Sequence, residues 1–558
     1  MKQVLIINIT RMGDLVQMGV LLNRLHEEWP GVAVDLVVDR RFAPVASLLT
    51  GLREVIAIDF HALIDESRAL VKDVVALYQD VAAWAKPLAE RRYDRIINLT
   101  FNRPSALLAG FIGATDSRGA QSAWDGGMVV ENPWMGYFCD FHQFRRLNRF
   151  NLVDIYALGG SRPGTFSPLR LSLSREDHTW AREAFTGVTG WIAVQVGASD
   201  SMKAWRPQLF GLALANVSKR WQGGILFIGS REEEATIAEV IQVYREAGEK
   251  SPVKNMAGRT TLNQLAGLLA ECHLLLTNDT GSMHIGVAAG TSVIDLSVGH
   301  VDFQETGPYG AGHWVIQPEL ECAPCGFDQV CAHHACKDRI SADVVADLTC
   351  HLLKVGAIPT RVSGARLYES GVDEDRLGTF HLRVGMESPV TAWYAAFWRR
   401  YWYEAHTGLQ SRLPLPEGPP PDVGEVNVQL RTLMPLLETA CERANEIARV
   451  ACRASVNLPE LKRLQREQRA DQERLLGIGL TTEALAPLAA AFGRHMRNDN
   501  VIGLDRLANH QAAAYHTWLR RLGEVDRCLA GLYPGDQRGI LGGHRVNLIA
   551  LGRERQAA

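Results

Sequence analysis

The chain has 558 residues, of which 47% are hydrophobic and 22% are charged, with a net charge of −3. These proportions are ordinary for a globular protein, and the length predicts two or three domains rather than one core. The small net charge argues against general affinity for nucleic acid.

The sequence also indicates where the protein works. The apolar run Val4–Ile9 is short and is followed at once by Arg11 and Asp14, unlike a signal peptide. There is no run of about 18 apolar residues, which a membrane-spanning helix would need. Ten cysteines in a chain without a secretion signal suggest reduced thiols. We therefore expect a cytoplasmic protein.

The first 165 residues predict strands that alternate with helices. Lys2–Ile9 is the kind of apolar run that a strand buried on both faces shows, and a helical pattern follows over Leu15–Trp29. Further short strands are expected at Val32–Val38, Val55–Ile58 and Arg95–Leu99. This alternation predicts an α/β domain with a parallel sheet.

Asp14 lies just after the first predicted strand, where Gly13 supplies a tight turn into the helix. An aspartate there most often caps the helix, and the residues alone favour that interpretation. The alternative is a general base that points into the crevice at the carboxyl end of the strand.

The segment Phe141–Phe150 combines phenylalanines with Arg145, Arg146 and Arg149. A solvated amphipathic helix that packs its aromatic side on the domain is favoured over contact with an anionic membrane surface or with acceptor phosphates. The Pro- and Gly-containing segment Ser161–Leu173 is interpreted as a linker between domains.

A second α/β domain is predicted to open with the strand Trp191–Val196, with further strands at Gly224–Gly229 and Val293–Ser297. Within it, Leu274–Thr291 is the most informative stretch: a buried strand, a polar turn and a helix that starts near Ser282. The amino end of such a helix suits a diphosphate. An ordinary turn with a capping histidine is equally compatible with the spacing.

Four cysteines follow within fifteen positions, at Cys322, Cys325, Cys331 and Cys336. Such a set can form a tetrahedral site for zinc or iron, and free thiols or disulfides are the alternatives. A structural role is expected in each case.

The last part of the chain predicts helices. Ser388–His406 is strongly aromatic, which favours a packed helix over a membrane belt or partner site. From Val426 to about Leu532 the apolar residues recur at helical spacing, which predicts a bundle or hairpin of unknown role.

Three motifs carry a resemblance to a known family. The runs Asn278–His284 (NDTGSMH), Ala288–Val293 (AAGTSV) and Thr306–Gly310 (TGPYG), with His313 downstream, resemble the nucleotide-sugar signature of glycosyltransferase family 9, the heptosyltransferases. The resemblance extends over about residues 1–350. It implies two Rossmann-like domains in a GT-B arrangement: an acceptor domain at 1–165 and a donor domain at 175–355, followed by an α-helical extension at 365–558.

The resemblance also implies a reaction. Family members invert the sugar as they move heptose from ADP-heptose to a hydroxyl, mainly of the lipopolysaccharide core, and need no cofactor for this chemistry. Asp14 would be the base, and Lys203 would neutralise the departing ADP. Ala198 departs from the hydroxyl residue that some relatives carry, which leaves one phosphate contact in doubt. The expected donor-binding residues are Ser199, Glu232, Met256, Asp279, Thr280, Gly281 and His284.

Other functions stay open at this point. The acceptor could be a protein, the enzyme could be a nucleotide-sugar epimerase on the same fold, or the chain could bind a sugar or partner without catalysis. Peripheral contact with the inner face of the inner membrane is a further expectation.

Overall fold

The structure is a computed structural model of the chain. It describes residues 1–531 except 60–73, 165, 186, 189, 250, 328, 454, 499 and 500. These residues form two compact units. The first comprises 1–139, 148–387 and 399–413, and the second comprises 140–147, 388–398 and the chain from 414.

The first unit begins with a five-stranded parallel sheet in the order β3-β2-β1-β4-β5. Its strands are β1 (Gln3–Ile7), β2 (Ala33–Asp39), β3 (Glu54–Ile58), β4 (Arg95–Asn98) and β5 (Asp116–Gly119). A small hairpin follows, of β6 (Gln121–Ser122) and β7 (Met128–Val129). The helices here are α1 (Met12–Gln17), α2 (Gly19–Glu28), α3 (Val74–Glu90), α4 (Arg103–Ile112), α5 (Pro133–Asp140) and α6 (Leu152–Gly160). All four strands predicted in this region are confirmed, whereas the single helix predicted at Leu15–Trp29 is divided at Met18.

The same unit contains an eight-stranded sheet in the order β10-β9-β8-β11-β12-β13-β14-β15. Its strands are β8 (Trp191–Gln195), β9 (Gly224–Ile228), β10 (Val253–Asn255), β11 (Leu274–Asn278), β12 (Ser292–Leu296), β13 (Trp314–Pro318), β14 (Ala365–Val372) and β15 (Gly378–Val384). Its helices are α7 (Arg175–Ala184), α8 (Pro207–Ser218), α9 (Glu234–Glu246), α10 (Leu262–Ala270), α11 (Gly281–Ala288), α12 (Phe303–Thr306), α13 (Cys336–Arg339) and α14 (Ala342–Leu352).

The hairpin β14–β15 corrects the expected boundary of the helical extension. Residues from 365 were predicted to be helical, but β14 pairs antiparallel with β13 and brings β15 into the same sheet. Leu367 and Tyr368, neighbours with side chains on opposite faces of β14, are both buried. The hairpin covers what would otherwise be the edge of the donor sheet at β13.

Both sheets have the doubly wound strand order, and in each sheet this order reverses at one place. The reversals lie between β1 and β4 in the first sheet and between β8 and β11 in the second. Open α/β sheets bind ligands at the carboxyl ends of strands at such points. The predicted fold class is confirmed, and the two reversals select the loops after β1, β8 and β11 for the functional site.

The second unit is built from long helices: α16 (Val423–Ala451), α17 (Leu458–Thr481), α18 (Ala486–Arg497) and α19 (Leu504–Gly531). α16 packs against both α17 and α19, and the rings of Phe492 and Trp518 stack with centroids 4.4 Å apart. The predicted bundle is thus present as far as 531. The remaining residues to 558 lie outside the described part of the chain.

The aromatic segment forms α15 (Pro389–Thr407), which contributes residues to both units. Trp393, Trp398 and Trp402 are buried, so the favoured interpretation as a packed helix holds. The helix predicted at Phe141–Phe150 is absent: this segment forms two short 3-10 turns whose phenylalanines are buried. Among the residues that the structure describes, no helix is long and apolar enough to cross a membrane.

Candidate functional site

Asp14 is the third residue of α1, immediately beyond the carboxyl end of β1. The helix cap is Arg11, so Asp14 is not the N-cap residue that its position alone had favoured. Burial is the largest influence on the pKa of Asp14 and raises it, and the charge of Asp279 adds to the rise. The pKa is lowered by a hydrogen bond from Thr10, by the charge of Arg11 and by a hydrogen bond from the Arg11 backbone. The side chain lies deep among protein atoms but stays partly accessible to solvent. It is therefore placed to take a proton from a group that enters the cleft.

The loop that carries Asp14 touches the start of α11 in the other sheet. A Cβ atom at Gly13 would lie 2.8 Å from His284 Cδ2, and one at Gly281 would overlap the end of Met12. The Gln17 amide nitrogen lies 3.2–3.3 Å from the two ring nitrogens of His284. Two glycines thus allow the loop of Asp14 and α11 to approach closely, with the His284 ring against Gly13 and the Met12 side chain against Gly281.

Asn278, at the end of β11, fixes the loop that holds Lys203. Its amide nitrogen donates to the Val196 carbonyl at 2.9 Å, and its side-chain oxygen accepts from the Trp205 backbone N–H at 3.0 Å. Lys203 itself is buried, and its ammonium group donates to the Asp279 carbonyl at 3.3 Å. Sequence reasoning missed Asn278, although it opens the motif that contains Asp279.

The charge of Lys203 is held close to one carboxylate. The ammonium nitrogen lies 3.7 Å from Asp279 Oδ1, while the hydroxyl of Thr306 donates to Asp279 Oδ2. Asp279 is buried, so this pair is only weakly screened by solvent. A lysine–aspartate ion pair therefore lies at the carboxyl ends of β8 and β11.

The first turn of α11 adds a second source of positive potential. Its N-cap residue, Thr280, makes no side-chain hydrogen bond to the helix. The first backbone N–H groups are therefore not satisfied by that cap, and they carry the positive end of the helix dipole. Ser282 is buried and donates from its hydroxyl to Gln195 Oε1 at 3.2 Å. An anion at this helix end would also meet Lys203.

His284 is buried in this turn, and burial lowers its pKa to about 4, with Asp279 raising it and Lys203 lowering it further. The imidazole is thus neutral near neutral pH. It acts through hydrogen bonds rather than as a cation that neutralises phosphate.

The two glutamates in the turn after β9, Glu232 and Glu233, have different surroundings. Glu232 is exposed, whereas both carboxylate oxygens of Glu233 accept from Gln195 Nε2, at 2.9 and 3.0 Å. The Ser230 backbone N–H donates to Glu233 at 2.6 Å. The signal was present in the sequence, because Ser230 and Glu233 have the spacing of a capping box.

The remaining predicted donor residues stay predictions. Ser199 is exposed in the loop after β8, and Met256 is half-buried and packs against the hydrophobic core.

The four cysteines share one neighbourhood but do not close around a metal. Burial, and then the three other cysteines, raise the pKa of Cys325. Cys331 Sγ accepts a hydrogen bond from the His334 backbone N–H at 3.3 Å. Within the described ranges, no three or more Cys, His, Asp or Glu side chains are placed to hold a metal ion. The zinc or iron site that the spacing suggested therefore stays a prediction.

The cysteine loop and the segment after it instead support the Lys203 loop. The Cys325 backbone N–H donates to the Gly299 carbonyl at 3.0 Å, and Lys337 donates to the Ser201 carbonyl at 2.6 Å. The Trp205 indole donates to the Ile340 carbonyl at 3.2 Å. The contacts of Lys337 and Trp205 fasten the loop that carries Lys203.

The chain is similar to known proteins both in sequence and in structure. Residues 81–335 match the model of glycosyltransferase family 9 (heptosyltransferase). Lipooligosaccharide heptosyltransferase 2 of Campylobacter jejuni subsp. jejuni is 28% identical over 167 residues, which are 29% of this chain and 51% of that protein. Lipopolysaccharide core heptosyltransferase OpsX of Haemophilus influenzae is 21% identical over 316 residues, which are 55% of this chain and 82% of that protein. The solved glycosyl transferase family 9 protein of Veillonella parvula aligns with a TM-score of 0.49 and 21% identity, over 63% of this chain and 97% of that one.

The chain spans about half the length of the first of these curated relatives. The family match covers the loops that carry Lys203, Asp279 and His284 and ends inside the cysteine loop. Residues 81–335 of the α/β part are thus similar to glycosyltransferase family 9, and the curated relatives beside this match are heptosyltransferases.

Proposed function

We propose that the protein is an inverting glycosyltransferase that moves heptose from ADP-heptose to a hydroxyl group of a lipopolysaccharide core. One observation carries the proposal. The loop of Asp14 lies against the amino end of α11, with Gly13 beside His284 and Gly281. A base and an anion site from two different sheets therefore share one cleft, as a displacement at a sugar carbon requires.

In the proposed reaction the diphosphate of ADP-heptose binds at the start of α11, beside Lys203. The acceptor hydroxyl attacks the anomeric carbon from the opposite side, and Asp14 takes its proton. The new carbon–oxygen bond forms as the bond between the anomeric carbon and the β-phosphate oxygen breaks, and the electron pair leaves with ADP. Lys203 and the helix N–H groups stabilise the charge that develops on this oxygen. Attack opposite the leaving group inverts the carbon and needs only one base.

Other residues are assigned by their position around this path. Asp279, held by Thr306, is proposed to orient donor hydroxyls, and Glu233 takes the ribose role that the sequence had given to Glu232. Met256 beside the adenine and Ser199 at the phosphates remain assignments from the family resemblance.

The acceptor assignment rests on the relatives, which are named for lipooligosaccharide or lipopolysaccharide heptose transfer. A protein acceptor is the second assignment. The cytoplasmic location and the contact with the inner membrane are part of the same proposal, and cell fractionation tests them.

A structural zinc or iron at Cys322, Cys325, Cys331 and Cys336 stays a prediction of the cysteine spacing. No step of the reaction uses it. Metal analysis of the purified protein, beside a Cys325→Ser and Cys336→Ser variant, tests it.

Calorimetric titration with ADP and with UDP is the first test of the donor. We expect ADP to bind at least ten times more tightly than UDP. Incubation with ADP-heptose and a heptose-deficient lipopolysaccharide core should then give a heptosylated core and ADP in equal amounts. Preferred binding of UDP, or hydrolysis without an acceptor product, contradicts the proposed function.

A further inference from the structure

Asp295 is a buried carboxyl group that the proposed reaction does not use. It is the fourth residue of β12, between Ile294 and Leu296, and its exposed fraction is 0%. Neither of its carboxylate oxygens has a hydrogen-bond partner among the described residues. Burying an unpaired polar group costs free energy, so a carboxyl group in the middle of an apolar strand calls for an explanation.

The sheet register places Asp295 under the donor site. Asp295 pairs with Thr277 of β11, and Thr277 pairs with Gln195 of β8. These three polar residues form one row across the central strands, because paired residues point to the same face. Asp279 is the first residue beyond the end of β11, two positions after Thr277, and its charge acts on Asp295.

Two charged groups act on Asp295. Burial raises its pKa well above the ordinary value, Asp279 raises it further, and Lys203 lowers it. His284 faces the same two groups from α11, and its pKa of about 4 leaves it neutral near neutral pH. The paired residue on the other side, Val315 of β13, carries no charge. The charges of Lys203 and Asp279 cancel. An ionised Asp295 would thus add a second negative charge beside this pair.

We propose that Asp295 is a positioning residue of the donor site, whose protonated carboxyl group leaves the positive charge of Lys203 for the diphosphate of ADP. This inference rests on the proposed function. Ionisation of Asp295 draws Lys203 away from the diphosphate and repels it. A bound diphosphate in turn disfavours that ionisation. Tight ADP binding and a protonated Asp295 therefore support each other.

The sign of the pH effect follows from this coupling. Bound ADP raises the pKa of Asp295 above its value in the free protein. The gain in affinity is present below the free-protein pKa and is lost as the pH rises through the pKa of the complex. A difference of one pKa unit between the two states corresponds to a roughly tenfold loss of affinity.

The test is calorimetric titration of ADP between about pH 5.5 and about pH 9, a range that spans the raised pKa of a buried carboxyl group. The wild type is compared with Asp295→Asn, which is neutral at every pH. We expect the wild type to lose about tenfold in affinity relative to D295N as the pH rises, with equal affinities at the low end. Ionisation of ADP itself affects both proteins alike and cancels. Asp347→Asn, which removes an exposed carboxylate of α14, is the matched control and should follow the wild type.

Urea unfolding of the free proteins gives a second readout. Because the folded-state pKa of Asp295 is raised, the wild type should lose stability relative to D295N as the pH rises through that pKa. Asp295→Ser, also neutral, replaces D295N if that variant does not fold.

The outcomes are distinguishable. Parallel affinity profiles for wild type and D295N, or weaker ADP binding by D295N at every pH, overturn the role of Asp295 and leave the proposed function in place. A wild type that binds no ADP at any pH overturns both.

Discussion

Gly13→Ala tests whether the contact between the two sheets is needed for transfer. The added Cβ atom would lie 2.8 Å from His284 Cδ2 and 3.3 Å from Nε2. His284 is only 4% exposed, so its ring has little room to move away. We therefore expect the Asp14 loop and α11 to separate.

The size of the effect follows from packing. Forcing one extra methyl group into a well-packed place costs about 1–3 kcal/mol. If all of this free energy is added to the activation barrier for transfer, kcat/KM falls by about 5-fold to about 150-fold. ADP affinity should change less, because the Lys203 loop and α11 both follow strands of the second sheet.

Steady-state transfer kinetics and ADP titration measure the two quantities on the same preparations. Gly19→Ala is the matched control, since its Cβ atom would lie at an ordinary 3.4 Å from Leu169. Gly281→Ala should do less harm than G13A, because the atom it meets is the flexible end of Met12, and Met12→Ala should restore it. If G13A keeps kcat/KM within about twofold of the wild type, a change below about 0.4 kcal/mol, the contact is not required for catalysis.

Three further predictions concern single charges. Asp14→Asn should reduce transfer by about 10²-fold to about 10⁴-fold while ADP affinity stays nearly unchanged, and strongly weakened ADP binding would contradict its role as base. Lys203→Met should weaken ADP binding by about 10-fold to about 100-fold, as loss of a charge-assisted contact does, whereas Lys219→Met on the exposed end of α8 should not. Burial raises the pKa of Asp154 to about 6. Its neutral form stabilises the fold, so the wild type should lose up to about 3 kcal/mol relative to Asp154→Asn as the pH rises through that value. Urea unfolding at several pH values measures this, and a constant difference would refute it.

The sequence predicted four strands of each sheet, β1 to β4 and β8, β9, β11 and β12, because they are short, apolar and separated by helical patterns. Trp191–Val196, for example, differs from β8 by one residue at its end, and Val293–Ser297 differs from β12 by one residue at each end. The hairpin β14–β15 was missed because neither of its strands carries an apolar run. Only the position of β13, whose edge the hairpin pairs with, explains it.

The site divides in the same way. Asp14, Lys203 and Asp279 could be proposed from the sequence because each follows a predicted strand and stands in a motif. Gln17 could not, since its partner His284 lies 267 positions away and only the fold brings them together. The sequence could not show that Gln195 contacts Glu233 rather than Glu232, because this depends on the direction of a single turn. A sequence pattern identifies the residues of a loop. Contacts between residues far apart in the sequence decide which of them lie together at the site.

Those contacts also set the pH range of the reaction. The closeness of the two sheets raises the pKa of Asp14 by burial and by the charge of Asp279. Asp14 must be ionised to take a proton, so transfer should increase as the pH rises through its pKa. Asp295 acts in the opposite sense, because its ionisation weakens donor binding. The pH profile of kcat/KM should thus be bell-shaped, with Asp14 on the rising side and Asp295 on the falling side. Asp295→Asn should remove the fall and leave the rise, and a variant that still shows both limbs would show that another group titrates at the high end.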